Sequence, residues 1–372
     1  MSARGIMAKE RSSNFELLRI VSMLGIVFHH FLNYSLGYNE FTYDTITPNS
    51  AFTAIFYLLG KIGVNIFVLI SGYFLIESKQ LKTSKILKLW LQIASYSVGI
   101  YIFFCIFKKT EFNYYSLIQH FLPINRELWW FPSTYFVMFL LSPFLNVLLK
   151  KLNQKQYMKM LAISIFLWSV LGVLDRRGLQ GNILITFFVI YSIGAYIRLY
   201  KNDNEINKFK IIMILLITWL LDAFMQIFLK KEAKSIVQFN DLAILFRSQI
   251  SLFTIIITVC IFLLFKNFEI KYSRSINIIG SATFGVYLIH ENEYIKWLLW
   301  EKLVIGRNYI NSPYLFLYGF LAAICVYIIC TLIELARIYI LEKNYMKLVY
   351  KAEPKINKAI NKIMNPIYNK LQ

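Results

Sequence analysis

"LLRIVSMLGIVFHHF", residues 17–31, decides the fold. It is an almost unbroken apolar run with an arginine near one end and two histidines near the other. With its flanks it is long enough to cross a bilayer as a helix, which takes about 20 apolar residues. Outward from it the same pattern recurs, apolar stretches separated by short polar punctuation. The 372 residues are 58% hydrophobic, 17% aromatic and 16% charged, with a mean hydropathy of +0.54. A soluble domain of this size would not need so much apolar surface. The reading is an all-α, polytopic membrane helical bundle that uses the whole chain.

Ten spans are expected, at about 15–36, 51–76, 88–107, 127–149, 158–174, 182–199, 210–229, 241–265, 277–298 and 314–340. Lys and Arg outnumber Asp and Glu by 40 to 20, a formal charge of +20. The basic residues concentrate in alternate segments, 1–14, 77–88, 150–159, 198–210, 266–275 and 341–372. That bias marks the cytoplasmic side and puts both termini there. Because the charge sits in short loops between spans, nucleic acid is not expected as a partner. Membrane lipids are. The chain divides into a cytoplasmic N-terminal segment (1–14), a transmembrane domain (15–340) and a basic amphipathic tail (341–372). In the tail, Ile356, Ile360, Ile363 and Ile367 recur at helical intervals among lysines, with an interruption near Pro366. Such a helix would lie on the inner leaflet. The first apolar run lacks a small-residue cleavage site after it and is expected as an uncleaved span. Cys105, Cys260, Cys325 and Cys330 fall inside apolar spans without metal-ligand spacing and read as packing residues.

The first helix carries a polar stripe. At about 100° per residue, Arg19 and His30 lie only about 20° apart around the axis and about 16 Å apart along it. His29 is rotated about 80° from that line, so His30 is the histidine that shares a face with Arg19. Glu16 extends the stripe one turn toward the cytoplasm. A charged side chain at mid-bilayer costs about 2.5–3.5 kcal/mol on the lenient insertion scale, so the stripe needs a use. Arg19 could snorkel to the interface while the histidines satisfy interhelical hydrogen bonds. The stripe could line a proton or ion path. Or a histidine could act as general base for a hydroxyl while the arginine holds an anionic donor. The helix alone leaves all three open.

Further polar groups recur at specific places. "GKIGVNIFVLISGYFL" (60–75) puts Lys61 and Asn65 on one helical face, with Ser71 and Gly72 near the cytoplasmic end. "ESKQLKTSKILK" (77–88) repeats Lys79, Lys82, Lys85 and Lys88 every three residues. This is either ordinary positive-inside charge or a strip suited to the phosphates of a nucleotide-like donor. "ELWWFPSTYFVMFLLSPFLN" (127–146) opens with Trp129 and Trp130, for at least one of which an interfacial belt position is expected. "SATFGVYLIHEN" (281–292) places His290 in the outer half of its span, followed by Glu291 and Asn292. Asp222 and Arg247 fall at matched depth, an expected intramembrane ion pair. His120, in an outer loop, has nothing to distinguish it.

Four of these stretches resemble the acyltransferase type 3 family: "NFELLRIVSMLGIVFHHF", "GVNIFVLISGYFL", "LWWFPSTYFVMFLLSPFLN" and "TFGVYLIHEN", in that order. These are integral membrane acyltransferases, many of which O-acetylate bacterial surface glycans. The resemblance spans about 15–340 and implies a ten-helix bundle that moves an acyl group, usually acetyl from cytoplasmic acetyl-CoA, to an acceptor hydroxyl. Carried over onto this chain, it makes Arg19 the donor-orienting arginine and His30 the essential histidine. Glu16 matches the acidic position before the arginine, Ser71–Gly72 the block before a basic cytoplasmic segment, and His290 a late histidine position. Where relatives often show an arginine cluster, this chain has lysines, which lack the bidentate fork.

The expectation is therefore an O-acetyltransferase of a cell-surface or exported polysaccharide, such as a capsule or exopolysaccharide, in a bacterial plasma membrane. Its catalytic residues would be His30, Arg19 and His290. Arg19, Lys82, Lys85 and Lys88 would hold the acetyl-CoA donor. Glu16, Lys61, Ser71, Trp129, Trp130 and Glu291 would support the site. The acceptor would be a polysaccharide or a lipid-linked glycan, and no metal is expected. The rival is a glycan flippase or transporter, whose cavity would also need buried Arg, Lys and His.

Overall fold

In the computed structural model, residues 12–37, 46–78, 80–171, 182–201, 207–233 and 238–371 are described, and among them every regular element is helical. Most of the N-terminal segment, Lys79 and the end of the expected 158–174 span lie outside the described residues. So do the side chains of Ile360, Ile363, Pro366 and Ile367 in the tail.

The first helix, α1 (Ser13–His30), continues through a π-helical turn at Phe31–Ser35. The expected second span divides into α2 (Pro48–Tyr57) and α3 (Leu59–Leu75), hinged at Leu58. Next come α4 (Thr83–Ile106), the short helix α5 (Tyr114–Phe121), α6 (Trp130–Lys151) and α7 (Gln154–Ile165). They are followed by α8 (Ile183–Tyr200), α9 (Lys208–Glu232), α10 (Gln238–Phe246), α11 (Leu252–Lys266) and α12 (Arg274–His290). Last are α13 (Glu293–Trp297), α14 (Leu315–Arg337) and α15 (Lys343–Leu371). Many starts carry a side chain that accepts a backbone N–H: Thr47, Asn113, Asn153, Asn182, Asn207, Ser273 and Asn292. These residue types cap because their short oxygens reach the orphan donors of the first turn.

Among the described residues, seven helical stretches are long and apolar enough to cross a membrane: Ser13–Ser35, Pro48–Leu75, Thr83–Ile106, Trp130–Lys151, Ile183–Tyr200, Lys208–Glu232 and Leu315–Ala359. Two other expected spans are broken helices. The 241–265 stretch divides between α10 and α11 because Arg247, Ser248, Gln249 and Ser251 interrupt the apolar run. The carbonyls freed there are bound by side chains: Asn65 Nδ2 donates to Gln249 O (2.7 Å), Thr254 Oγ1 to Ser248 O (3.0 Å) and Ser169 Oγ to Ile250 O. Irregular backbone at membrane depth is tolerated where it is satisfied by protein in this way. The 277–298 stretch stops at His290, where Asn292 caps the next helix by accepting from Tyr294 N.

α1 is the hub, packed on α3, α12, α14 and α11. Glycines set the closest approaches. A Cβ on Gly72 would strike the Tyr191 carbonyl and one on Gly194 the Leu69 carbonyl, so α3 and α8 touch backbone to backbone. A Cβ on Gly60 would strike the His29 ring, which ties α3 to α1 at that height. Small residues at helix crossings permit this close packing in lipid. The outward faces of α9 and α14 show Leu216, Leu220, Phe224, Leu317, Leu321 and Ile328, an apolar rim for the lipid tails. Cys325 lies on that outward face, Cys105 is half-buried, Cys260 and Cys330 are buried, and all four are free thiols.

Candidate active site

Two helix ends meet where the buried histidines lie. α1 ends at His30 and α12 ends at His290, and His30 Nδ1 lies 2.9 Å from His290 Nε2. His290 Nδ1 is 2.6 Å from Val286 O, and a carbonyl only accepts, so that nitrogen carries the proton. The neutral His290 therefore accepts at Nε2, and His30 donates from Nδ1. By elimination His30 Nε2 holds the lone pair, and no described residue hydrogen-bonds to it. Glu291 Oε2 stands 3.2 Å from His30 Nδ1 without a hydrogen-bond partner of its own. Its other oxygen accepts from Tyr34 OH (2.8 Å) and lies 3.5 Å from Lys296 Nζ. The π-helical turn after His30 matters here, because it carries Tyr34 to Glu291 with its ring 5.4 Å from that of His30.

Buried polar atoms with no partner among the described residues lie beside this pair and elsewhere in the core. The Tyr287 hydroxyl is one; its ring centroid is 6.2 Å from that of His30 and 5.8 Å from that of His290. Trp129, only 2% exposed, buries an unpartnered Nε1, so it is an interior residue and not a belt aromatic. Trp130 is half-buried, edge-on to Phe131 and Phe187. His29 turns away and donates from Nδ1 to Tyr57 O (2.6 Å). Lys61 acts electrostatically on both His29 and His30, as Lys296 does on His30.

The ligand atoms of His30, His290 and Glu291 lie within 4.8 Å of one another, a set that could hold a metal ion. The neighbouring charges oppose it: Lys296 already pairs with the carboxylate and Lys61 adds a second positive charge.

Arg19 is not in the cluster. Its guanidinium pairs with Glu16 one turn away, and the two lie near the start of α1. The stripe is real as a helical face, but Arg19 and His30 serve different levels of it. Ser71 Oγ donates to Phe67 O (2.8 Å) and shares a hydrogen bond with Tyr135 OH (2.9 Å). Lys82, Lys85 and Lys88 are exposed at the start of α4, and Lys88 pairs with Glu342 (2.5 Å). Asp222 accepts from Gln226 and feels Arg247 electrostatically, while the Arg247 guanidinium stacks 5.2 Å over the Tyr57 ring. His120 is distinguished after all: it is 2% exposed, bonded to Ser97 Oγ (2.9 Å) and stacked on Tyr101.

Sequence reading missed one network entirely. Arg337 grips Glu334 through Nε (2.7 Å) and Nη2 (2.9 Å), reaches Glu342 through Nη2 (2.5 Å), and donates from Nη1 to Tyr345 OH (2.7 Å). Gln92 (2.8 Å) and Tyr96 (2.6 Å) of α4 donate to the same Glu334. The signal available was the spacing Glu334–Arg337, a carboxylate three residues before a guanidinium in an apolar helix.

A family model described as an acyltransferase domain matches residues 12–333, and the chain belongs to that family, acyltransferase type 3. It is an acyltransferase built as a multi-pass membrane protein. No curated protein and no solved structure matches the chain.

Proposed function

We propose that the chain is an O-acetyltransferase of the bacterial plasma membrane, with ten spans and both termini cytoplasmic. It would take acetyl from cytoplasmic acetyl-CoA and give it to hydroxyls of a cell-surface or exported polysaccharide. The observation that carries this is the bare Nε2 of His30, set by the hydrogen bond from its Nδ1 to His290. As a sugar oxygen attacks the thioester carbonyl, Nε2 takes the hydroxyl proton. The new C–O bond forms, the C–S bond breaks, and the imidazolium returns the proton to the leaving thiolate. Glu291, 3.2 Å away, steadies the transient positive charge on His30. Tyr287 OH, which has no partner among the described residues, would supply a donor for the carbonyl oxygen as it turns anionic.

Arg19 sits about 16 Å from His30 along α1, and with the exposed lysines at the start of α4 it would face the donor. They suit the phosphates of the donor while its acyl end reaches the histidine. His30 would thus stand between an inner donor and an outer glycan.

The test is base-labile acetate on purified surface polysaccharide, read by proton NMR before and after mild alkali. A deletion strain carries the wild-type, His30→Ala or His29→Ala gene at matched membrane levels. Wild type and His29→Ala restore the acetyl signals, and His30→Ala lowers them by at least about a hundredfold. Normal acetylation by His30→Ala would sink the assignment. Unchanged acetylation in the deletion strain with less surface polysaccharide would instead identify a transporter.

A further inference from the structure

One cation near the active site has no use in the chemistry above. Lys61 of α3 is half-buried and makes no hydrogen bond or ion pair among the described residues. Its height is fixed by its neighbour Gly60, which lies flush against the His29 ring. Arg247, 6% exposed, is its electrostatic neighbour across the bundle, and Glu291 is the acidic group that it feels. Glu291, however, already has Lys296 and Tyr34 on one oxygen. Arg247 in turn faces Asp222 electrostatically, so the cation at this level that makes no ion pair among the described residues is Lys61. An unmatched ammonium inside a membrane bundle is expensive, and such residues mark the path of a substrate or ion.

The backbone beside it is also unusual. α11 begins at Leu252, and Ser251 before it gives no side-chain cap to the first turn. Helix N-termini attract anions through these donors and the helix dipole. Asn65, one turn from Lys61 and 0% exposed, donates to Gln249 O of the break, while its Oδ1 has no hydrogen-bond partner. The level of the break follows from the other end of α11. Asn14 Nδ2 of α1 donates to Phe265 O and Lys266 O, which sets the starts of α1 and the end of α11 at one height. From there to Leu252 is about 20 Å along α11, and to His30 about 24 Å along α1. The break, Lys61 and the catalytic histidine share one layer.

We infer that Lys61, with Arg247 and the start of α11, forms a subsite for a negatively charged group on the acyl acceptor, so that the acceptor is an acidic glycan. The same chemistry would bind a phosphate of the donor. The layer favours the acceptor, because Arg19, about 16 Å away along α1, already provides a cation for the donor. The Lys61 charge would also explain selectivity: a neutral sugar leaves the ammonium unmatched, and an acidic one neutralises it. Naming the occupant as the acceptor rests on the proposed acetyl transfer, but the binding itself does not.

The experiment measures binding without turnover, on the full chain in nanodiscs, by quenching of its tryptophan fluorescence. The probes are a glucuronate-containing tetrasaccharide and glucose 6-phosphate, each against its neutral counterpart, and separately coenzyme A. Wild type is expected to bind at least one acidic probe about tenfold more tightly than the neutral one. Lys61→Met removes that preference, Lys61→Arg keeps it, and His30→Ala keeps it too, since transfer is not required. Lys61→Met should melt at the wild-type temperature or above, because it replaces an unmatched cation by an apolar chain of similar length. No preference for either acidic probe in wild type overturns the inference. So does a Lys61→Met protein that loses coenzyme A affinity and retains the sugar preference, which would assign the subsite to the donor. A clear fall in its melting temperature would make Lys61 a structural cation and also overturn it. If the acidic preference stands while no glycan is acetylated by wild type, the subsite survives and the transferase reading fails.

Discussion

Two buried polar clusters share this bundle, and they are built in opposite ways. Where α4, α14 and α15 meet, Arg337, Glu334, Glu342, Lys88, Gln92, Tyr96 and Tyr345 form a matched set in which two cations face two carboxylates and each carboxylate oxygen has a donor. Around His30 and His290, the set is unmatched. Among the described residues, Glu291 Oε2 and Tyr287 OH lack hydrogen-bond partners, and Lys61 makes no ion pair. A buried polar group left unsatisfied costs about 1–3 kcal/mol, so a cluster of them is maintained for a reason other than stability. The saturated cluster locks α4, α14 and α15 together; the unsaturated one is prepared for something that arrives.

If that contrast is right, the two clusters should fail differently. The largest effect on the fold is expected from Arg337→Ala, which leaves Glu334 and Glu342 buried without their shared cation. Breaking such a pair costs about 3–5 kcal/mol. Thermal unfolding in detergent should show a fall of many degrees, and membrane levels should drop. Tyr287→Phe should do the reverse. It removes an unsatisfied hydroxyl, so the melting temperature holds or rises, while kcat falls about a hundredfold with the KM for acetyl-CoA unchanged. A stable Arg337→Ala or a fully active Tyr287→Phe would erase the distinction.

A smaller effect sharpens it. His120, outside the spans, belongs to neither cluster, and burial with Arg126 nearby pushes its pKa down from 6.5 to about 4. The folded state therefore holds it neutral where the unfolded chain would protonate it. Its contribution to stability is intact above about pH 6.5 and is lost as pH falls toward 4. Ser97→Ala, which removes its partner, should cost about 1 kcal/mol at neutral pH. His120→Gln should flatten the acid slope between those two pH values, as measured by unfolding midpoints across the range.

Much of the fold was legible because lipid imposes a simple rule: apolar segments of sufficient length become helices, whatever their neighbours. The breaks were less legible, although their residues were in view. Arg247, Ser248, Gln249 and Ser251 interrupt an otherwise apolar run, and a window average passes over four such residues. The break is stable only because Asn65, Ser169 and Thr254 reach it from other places in the chain. The site divides in the same way. The helical angle separates His30 from His29, but nothing local says that Arg19 would turn to Glu16 or that His30 would meet a histidine 260 positions away.

By itself, then, the sequence determined an all-helical membrane chain with a polar stripe on its first helix and a histidine late in the chain. Its four motif blocks pointed to the family that the match over residues 12–333 established. Those features depend on hydropathy, on 3.6-residue periodicity and on residue type, all of which are local. Tertiary structure alone decided which nitrogen of His30 carries the proton, that Trp129 is interior, that Glu334 collects two donors from α4, and that Lys61 makes no ion pair among the described residues. Each of these depends on what a distant segment places within about 3 Å, the range over which hydrogen bonds act.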